Sequence, residues 1–230
     1  MFVNGRTTTA IMKKYEIVQG TADWFETRHG KITGTASKGL FVKSDTLLNE
    51  IISMHIEDWE GEDNYTSAAM DRGNDLEPVA RLELETELFI SFEQVGFIQS
   101  ETNALLGISP DGLSKCDTMA CEIKCPGSKK HTATILANDI PSDNIHQCLH
   151  YFTVNSNLEK LYFASFRPEN KVKPLWYKMI TRDSEIDLGT KAKPVVKTVA
   201  EWVEIARDEA AMISVNLDIA LNKLNEMYGK

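Results

Sequence analysis

No stretch of this 230-residue sequence approaches the roughly 18 consecutive apolar residues of a membrane-spanning helix, and its N-terminus has no charged and then apolar leader. A soluble, unexported protein is expected, working in the cytoplasm without a membrane partner. Nor is there a Cys-x-x-Cys pair. The cysteines, Cys116, Cys121, Cys125 and Cys148, are read as reduced, buried thiols and not as a cluster-holding set. Positive charge is in deficit, with 25 Lys and Arg against 34 Asp and Glu and a net charge of −9. That balance argues against passive coating of nucleic acid, which depends on neutralising phosphates. An enzyme with a local basic channel stays open. Two basic clusters would line it: Arg28, His29 and Lys31, then Lys124, Lys129, Lys130 and His131.

What the chain does have is 42% hydrophobic residues, enough at this length for one substantial core and a single domain. That domain is expected over 15–230, after a flexible segment at 1–14 and with a C-terminal helical segment over 183–230. Met12-Lys13-Lys14 resembles an ordinary start, so the residues ahead of it read as an extension.

The organising stretch is Gly107-Ile108-Ser109-Pro110-Asp111-Gly112, followed after a spacer by Ala120-Cys121-Glu122-Ile123-Lys124-Cys125-Pro126. Both parts read as short strands, the first entering a Pro-Asp-Gly turn. Strand side chains alternate faces, so Glu122 and Lys124 point one way while Ile123, with Cys121 and Cys125, points into the core. Asp111 on the neighbouring hairpin arm completes a set of two carboxylates and one ammonium. Mg²⁺ takes carboxylate oxygens and keeps waters, and phosphodiester hydrolysis needs a deprotonated water and a neutralised phosphate, so the set suits a magnesium nuclease. Taken singly, Glu122 and Lys124 read equally well as a solvated pair on a strand edge.

Pro110-Asp111, the spacer and Glu122-x-Lys124 resemble the PD-(D/E)xK nuclease signature. Trp24-Phe25-Glu26-Thr27-Arg28-His29-Gly30-Lys31-Ile32-Thr33-Gly34-Thr35 resembles the N-terminal block of the phage lambda exonuclease family, the YqaJ-like viral recombinases. Arg72-Gly73-Asn74-Asp75-Leu76-Glu77 resembles that family's Gly-to-Glu helix start, and Ile145-His146-Gln147 falls where the family carries a Gln-bearing helix. The four blocks occur in the family's order between Trp24 and about Tyr151. The resemblance implies an α/β, restriction-endonuclease-like core, a central mixed β-sheet flanked by helices. It implies a 5′→3′ exonuclease that resects linear duplex DNA from 5′-phosphorylated ends and leaves 3′ overhangs for phage-type recombination.

The same resemblance distributes roles. Asp111, Glu122 and the main-chain carbonyl of Ile123 would hold a first Mg²⁺ and Glu77 would help hold a second, with Mn²⁺ able to substitute. Lys124 would orient or deprotonate the attacking water or offset phosphate charge, and Gln147 would hydrogen-bond that water or the scissile phosphate. Arg28 and Thr35 would grip the 5′-phosphate, while Ser109, Arg72 and an apolar wedge, Met70, would contact the DNA end. The family's second Gln is replaced by Leu149. A ring-shaped homotrimer, a single-strand annealing protein as partner, and a phage or prophage origin in a bacterial host also follow by resemblance. The rival readings are an endonuclease of the same fold and a non-catalytic scaffold that binds DNA ends.

Along the chain, a short helix capped by Thr21 or Asp23 should end at Gly30, and a second should start in Thr33–Ser37 with free N–H groups. Core helices are expected over Asp45–Trp59 and from about Asp75–Glu77 to Leu88, because proline is tolerated only in a first turn and Pro78 fixes that start. Phe92–Ser100 should be a strand, Ser128–Asn138 and Asp143–Val154 helices, and Leu158–Phe166 with Leu175–Thr181 a hairpin. Gln147 and Tyr151 share a helix face flanked by His146 and His150, either of which could touch DNA. From Asp183 onward the pattern reads as one or two helices, with Pro194 at a bend or start.

Overall fold

The computed structural model describes residues 12–61 and 68–229. A mixed four-stranded sheet runs through its middle in the order β4 (Gly112–Leu113), β5 (Met119–Lys124), β6 (Lys160–Phe166) and β7 (Leu175–Thr181). β5 and β6 are parallel, with Glu122 opposite Phe163 and Lys124 opposite Ser165. A parallel pair needs a crossover, and here the crossover is two helices, α5 (Ser128–Ala137) and α6 (Ser142–Val154). β6 and β7 form the expected antiparallel hairpin. A smaller antiparallel sheet of β1 (Lys13–Tyr15), β2 (Phe97–Gln99) and β3 (Gly107–Ile108) leads into the organising turn. This is the mixed α/β architecture, sheet flanked by helices, that the sequence implied.

The four-stranded sheet is covered on both faces, which is why its strands read as near-continuous apolar runs. Cys121, Ile123, Tyr162, Ala164 and Phe166 pack with Ala80 and Leu84 of α4 (Ala68–Leu88) on one side. Ala120, Leu161 and Phe163 face the other side, where α6 and the 30-residue α7 (Val199–Tyr228) contribute Leu149, Phe152, Val203 and Ala206. Each fully buried phenylalanine there, such as Phe152 or Phe163, contributes about 2–3 kcal/mol by leaving water. The far end of α6 is held by two guanidiniums. Arg182 donates to the carbonyls of Asn155, Ser156 and Leu158, and Arg207 to that of Thr153, at 3.0–3.2 Å.

Several expectations about elements need correcting. α4 begins well before Pro78, which lies inside it. Asn74 and Pro78 are both exposed, so water can reach the carbonyl that the proline cannot bond, and the interior proline is tolerated. Glu77 therefore sits mid-helix and not at an N-terminus. The helix expected from Thr33 is a set of turns followed by only five helical residues, α2 (Lys38–Val42), with Ser37 and not Thr35 at its N-cap. Over Phe92–Ser100 only Phe97–Gln99 is strand. The chain is already paired at Lys13 and buried at Met12, within the segment expected to be flexible, while Met1–Ile11 lie outside the described residues.

The segment from Asp183 is not all helix. β8 (Glu185–Asp187) and β9 (Val196–Thr198) form a hairpin before α7. Asp187 ties the hairpin link by accepting the N–H groups of Gly189 and Val195, and a Cβ at Gly189 would meet the Lys193 carbonyl oxygen at 2.3 Å. Pro194 belongs to that link. A capping box of Thr198 and Glu201 then starts α7. α1 (Ala22–Arg28) and α3 (Asp45–Ile56) fall where expected, and Gly30 ends the first with φ +70°. No helix among the described residues is long and apolar enough to cross a membrane.

Candidate active site

β5 carries the centre of the site at its C-terminal end. Glu122 is fully buried, which removes the reading of a solvated edge pair. Its Oε2 accepts from the Tyr151 hydroxyl at 2.7 Å, and its Oε1 lies 2.5 Å from Lys124 Nζ. The alternation along the strand thus puts Glu122 and Lys124 side by side as expected. Asp111, at the end of the Pro-Asp-Gly turn, is fixed from three directions. Its Oδ2 accepts the Ile123 N–H at 2.6 Å, its carbonyl oxygen accepts from Arg81 at 2.5 Å, and its own N–H donates to the Tyr151 oxygen at 3.4 Å. Glu77 approaches across the sheet from α4 and pairs with Arg81 at 3.6 Å.

The electrostatics follow from this crowding. Burial pushes the Asp111 carboxyl well above its ordinary value, and the charges of Glu122 and Glu77 push it further, against the opposing pull of Lys124 and the Ile123 N–H. Burial also raises Glu77, with Arg81 opposing and Glu122 adding to the rise. Burial by itself would lower Lys124, but the Glu122 and Asp111 carboxylates outweigh it and hold the ammonium above its usual value. Tyr151 is raised by burial and by the same two acids, so it stays a neutral hydroxyl that can donate.

Among the described residues no three His, Cys, Asp or Glu side chains form a ready cage for one ion. The residues present nonetheless fit a hard divalent cation. Glu122 Oε1 is a buried carboxylate oxygen whose one polar neighbour is the Lys124 ammonium at 2.5 Å, so it keeps a lone pair to give. Two carboxylates and a main-chain carbonyl with retained waters match what Mg²⁺ takes. A cation there would relieve the repulsion that raises Asp111. Glu77, held by Arg81, adds charge to this group without joining it as a third converging ligand.

Gln147, Thr35 and Arg28 line adjoining clefts that begin beside Lys124. Gln147 packs on Gly34, where a Cβ would come within 3.0 Å of its Cγ, and lines a cleft of about 470 Å³ with Thr35 and Lys38. Ser142 and Asp143 line both that cleft and one of about 340 Å³ beside Lys124. Thr35 in turn opens onto a third, of about 860 Å³, with Arg28, His29 and Lys31. Arg28 stacks on Trp24 at 3.8 Å and reaches Thr33 Oγ1 at 3.4 Å, and Trp24 Nε1 donates to Ser109 Oγ at 2.8 Å. Met70 is exposed, and Arg72 on the same stretch of α4 is paired with Glu169.

Two histidines do not face these clefts. His150 is buried, its Nε2 shared between the carbonyl oxygens of Ile32 and Gly107 at 3.0 Å each, and burial lowers it to about 4. His131 is buried against Ser165 and the Lys173 carbonyl. Cys121 and Cys148 are buried as expected, but Cys116 is exposed and its thiol is lowered to about 7 by Ser114 and Thr118. Tyr151 and Arg81 were not among the expected site residues. Their only sequence signal is their spacing, each four residues after a site residue on the same helix face, Gln147 and Glu77.

Comparison with known proteins bears on the fold and the family. The crystal structure of LHK-Exo in complex with dAMP aligns at a TM-score of 0.69 and 26% identity, over 90% of this chain and 100% of that one. A crystal structure of the alkaline exonuclease LHK-Exo from Laribacter hongkongensis aligns at 0.69 and 25% identity, again over 90% and 100%. The fold is that of an alkaline exonuclease. The YqaJ-like viral recombinase domain matches residues 23–157, which contain Arg28, Glu77, Asp111, Glu122, Lys124 and Gln147. The chain belongs to the YqaJ-like viral recombinase family. No curated protein matches its sequence.

Proposed function

We propose that this protein is a Mg²⁺-dependent 5′→3′ exonuclease that resects one strand of linear duplex DNA from 5′-phosphorylated ends and leaves 3′ overhangs for recombination. The observation that carries the reading is the close Asp111–Glu122–Lys124 group, built on the buried Glu122 carboxylate, with Lys124 lining the first of three adjoining clefts that reach Arg28. LHK-Exo was crystallised with dAMP, a mononucleotide of the kind this reaction releases.

In this reading Asp111, Glu122 and the Ile123 carbonyl hold one ion, and Glu77 contributes charge toward a second. A bound divalent cation supplies Lewis-acid polarisation of the phosphate and a more acidic water. Lys124, 2.5 Å from Glu122, is placed to orient or deprotonate the attacking water or to offset charge on the scissile phosphate. Gln147, fixed against Gly34, orients the attacking water or a phosphate oxygen. Arg28, held flat by Trp24, presents its guanidinium beside Thr35 to a terminal phosphate, for which its planar fork is suited. The protein acts in the cytoplasm of a bacterial host, as a homotrimeric ring beside a single-strand annealing protein.

Three duplexes test the reading: linear with 5′-phosphate, linear with 5′-hydroxyl, and closed circular, each with Mg²⁺, Mn²⁺ or EDTA. Mononucleotide release that is fastest from the phosphorylated end, absent from circles and abolished by EDTA is the expected result. Nicked circles would replace it with an endonuclease, and binding without cleavage with a scaffold.

A further inference from the structure

Two arginines outside the carboxylate group converge on a single acid. Arg72 Nη2 of α4 donates to Glu169 Oε2 at 2.8 Å, and Arg167 Nε, just after β6, lies 3.7 Å from the same oxygen. The Glu169 side chain is 52% exposed in the link between β6 and β7, so no buried charge calls for two partners. Two guanidiniums on one carboxylate leave a surplus positive charge in the planar geometry that suits phosphate. A local backbone hydrogen bond, then Arg72 and Arg167, hold the Glu169 carboxyl below its ordinary value.

Their position relative to the site is set by register. Ser165 is the partner of Lys124 across β5 and β6, and Arg167 follows two residues later. Two strand residues span about 7 Å. Arg167 Nη1 also reaches the carbonyl of Pro126, two residues beyond Lys124, at 3.4 Å. On α4, Arg72 precedes Glu77 by five residues, about 7.5 Å along the axis. A strand with one phosphate at Lys124 therefore brings a neighbouring phosphate to the arginines.

We propose that Arg72 and Arg167 form a two-guanidinium clamp for a DNA backbone phosphate next to the scissile one, and that Glu169 occupies the clamp until DNA displaces it. The proposal rests on the nuclease reading above. Glu169 acts as an internal competitor, so weakly placed DNA is not held while a correctly threaded strand is.

The test is equilibrium binding of a 5′-phosphorylated duplex in Ca²⁺, over a series of NaCl concentrations. Glu169→Gln should bind about two- to five-fold tighter, the scale of a released surface ion pair. Arg167→Gln should bind about ten-fold more weakly, with the slope of log affinity against log salt reduced by about 1. The double variant should show the loss without the gain. Weaker binding by Glu169→Gln, or an unchanged slope for Arg167→Gln, overturns the clamp and leaves the trio as a tether for the link. If Arg167→Gln melts early, the sign of the Glu169→Gln effect alone decides. A wild-type protein that resects DNA while both variants bind unchanged refutes only the clamp, whereas one that neither binds nor cuts DNA refutes the nuclease reading with it.

Discussion

The two faces of β5 are equally buried and chemically opposite. On the α4 side, Cys121 and Ile123 meet Ala80 and Leu84 in an apolar contact. On the α6 side, Glu122 meets Tyr151 and Lys124. One strand thus serves packing and chemistry on alternate residues. The comparison teaches that burial does not distinguish core from site in this protein. What distinguishes them is the partners a buried group has drawn in, at Glu122 a hydroxyl on one oxygen and an ammonium on the other.

The polar face should break with loss of activity and little loss of fold. Asp111→Asn is expected to lower kcat by about 10³-fold or more, as several kcal/mol of transition-state stabilisation disappear. Its melting temperature should stay close to wild type, because the amide can still accept the Ile123 N–H. Single-turnover cleavage beside a thermal melt checks both. Tyr151→Phe comes next, with about a 10- to 100-fold loss of activity, the scale for a partner that orients a metal ligand. It also costs about 1–3 kcal/mol of stability, because Glu122 loses its donor.

His150, on the same helix, sharpens the comparison through pH. Its folded-state value, about 4, lies below the ordinary 6.5, so the unfolded chain binds the extra proton. The stability that His150 contributes is complete above about pH 6.5 and is lost as pH falls toward about 4, up to about 3 kcal/mol. Melting temperatures at pH 7 and pH 5 should differ less in His150→Gln than in wild type. The smallest effect belongs to the apolar face. Ile123→Val should cost about 1 kcal/mol in denaturant unfolding and leave kcat within about two-fold, since its main chain is unchanged.

Much of this was legible beforehand. Glu122 and Lys124 lie on a strand whose period of two is visible in the sequence, Asp111 lies in a turn that Pro-Asp-Gly marks, and the helices over 128–137 and 142–154 follow from their own patterns. Glu77 was found but misplaced, because the exposure that lets a helix carry Pro78 in its interior is a tertiary fact. Tyr151 and Arg81 gain their roles from Glu122 and Asp111, which are distant in sequence, so no local pattern assigns them. The hairpin at 185–198 depends on one Asp187 carboxylate gathering two N–H groups, while Ile186, Leu188 and Val195 also satisfy a helical spacing.

The two guanidiniums at the end of α6 have a mechanical meaning. A rod anchored at one end is stiffest there, and the other end of α6 is Ser142–Asp143, where two of the clefts meet. Tyr151 lies within one turn of the clamp and behaves as part of the fixed frame, whereas Gln147 is further out along the lever. In the nuclease reading, DNA that opens the clefts would displace Gln147 by a larger arc than Tyr151. The group proposed to position water would then respond to the substrate while the carboxylates keep their alignment.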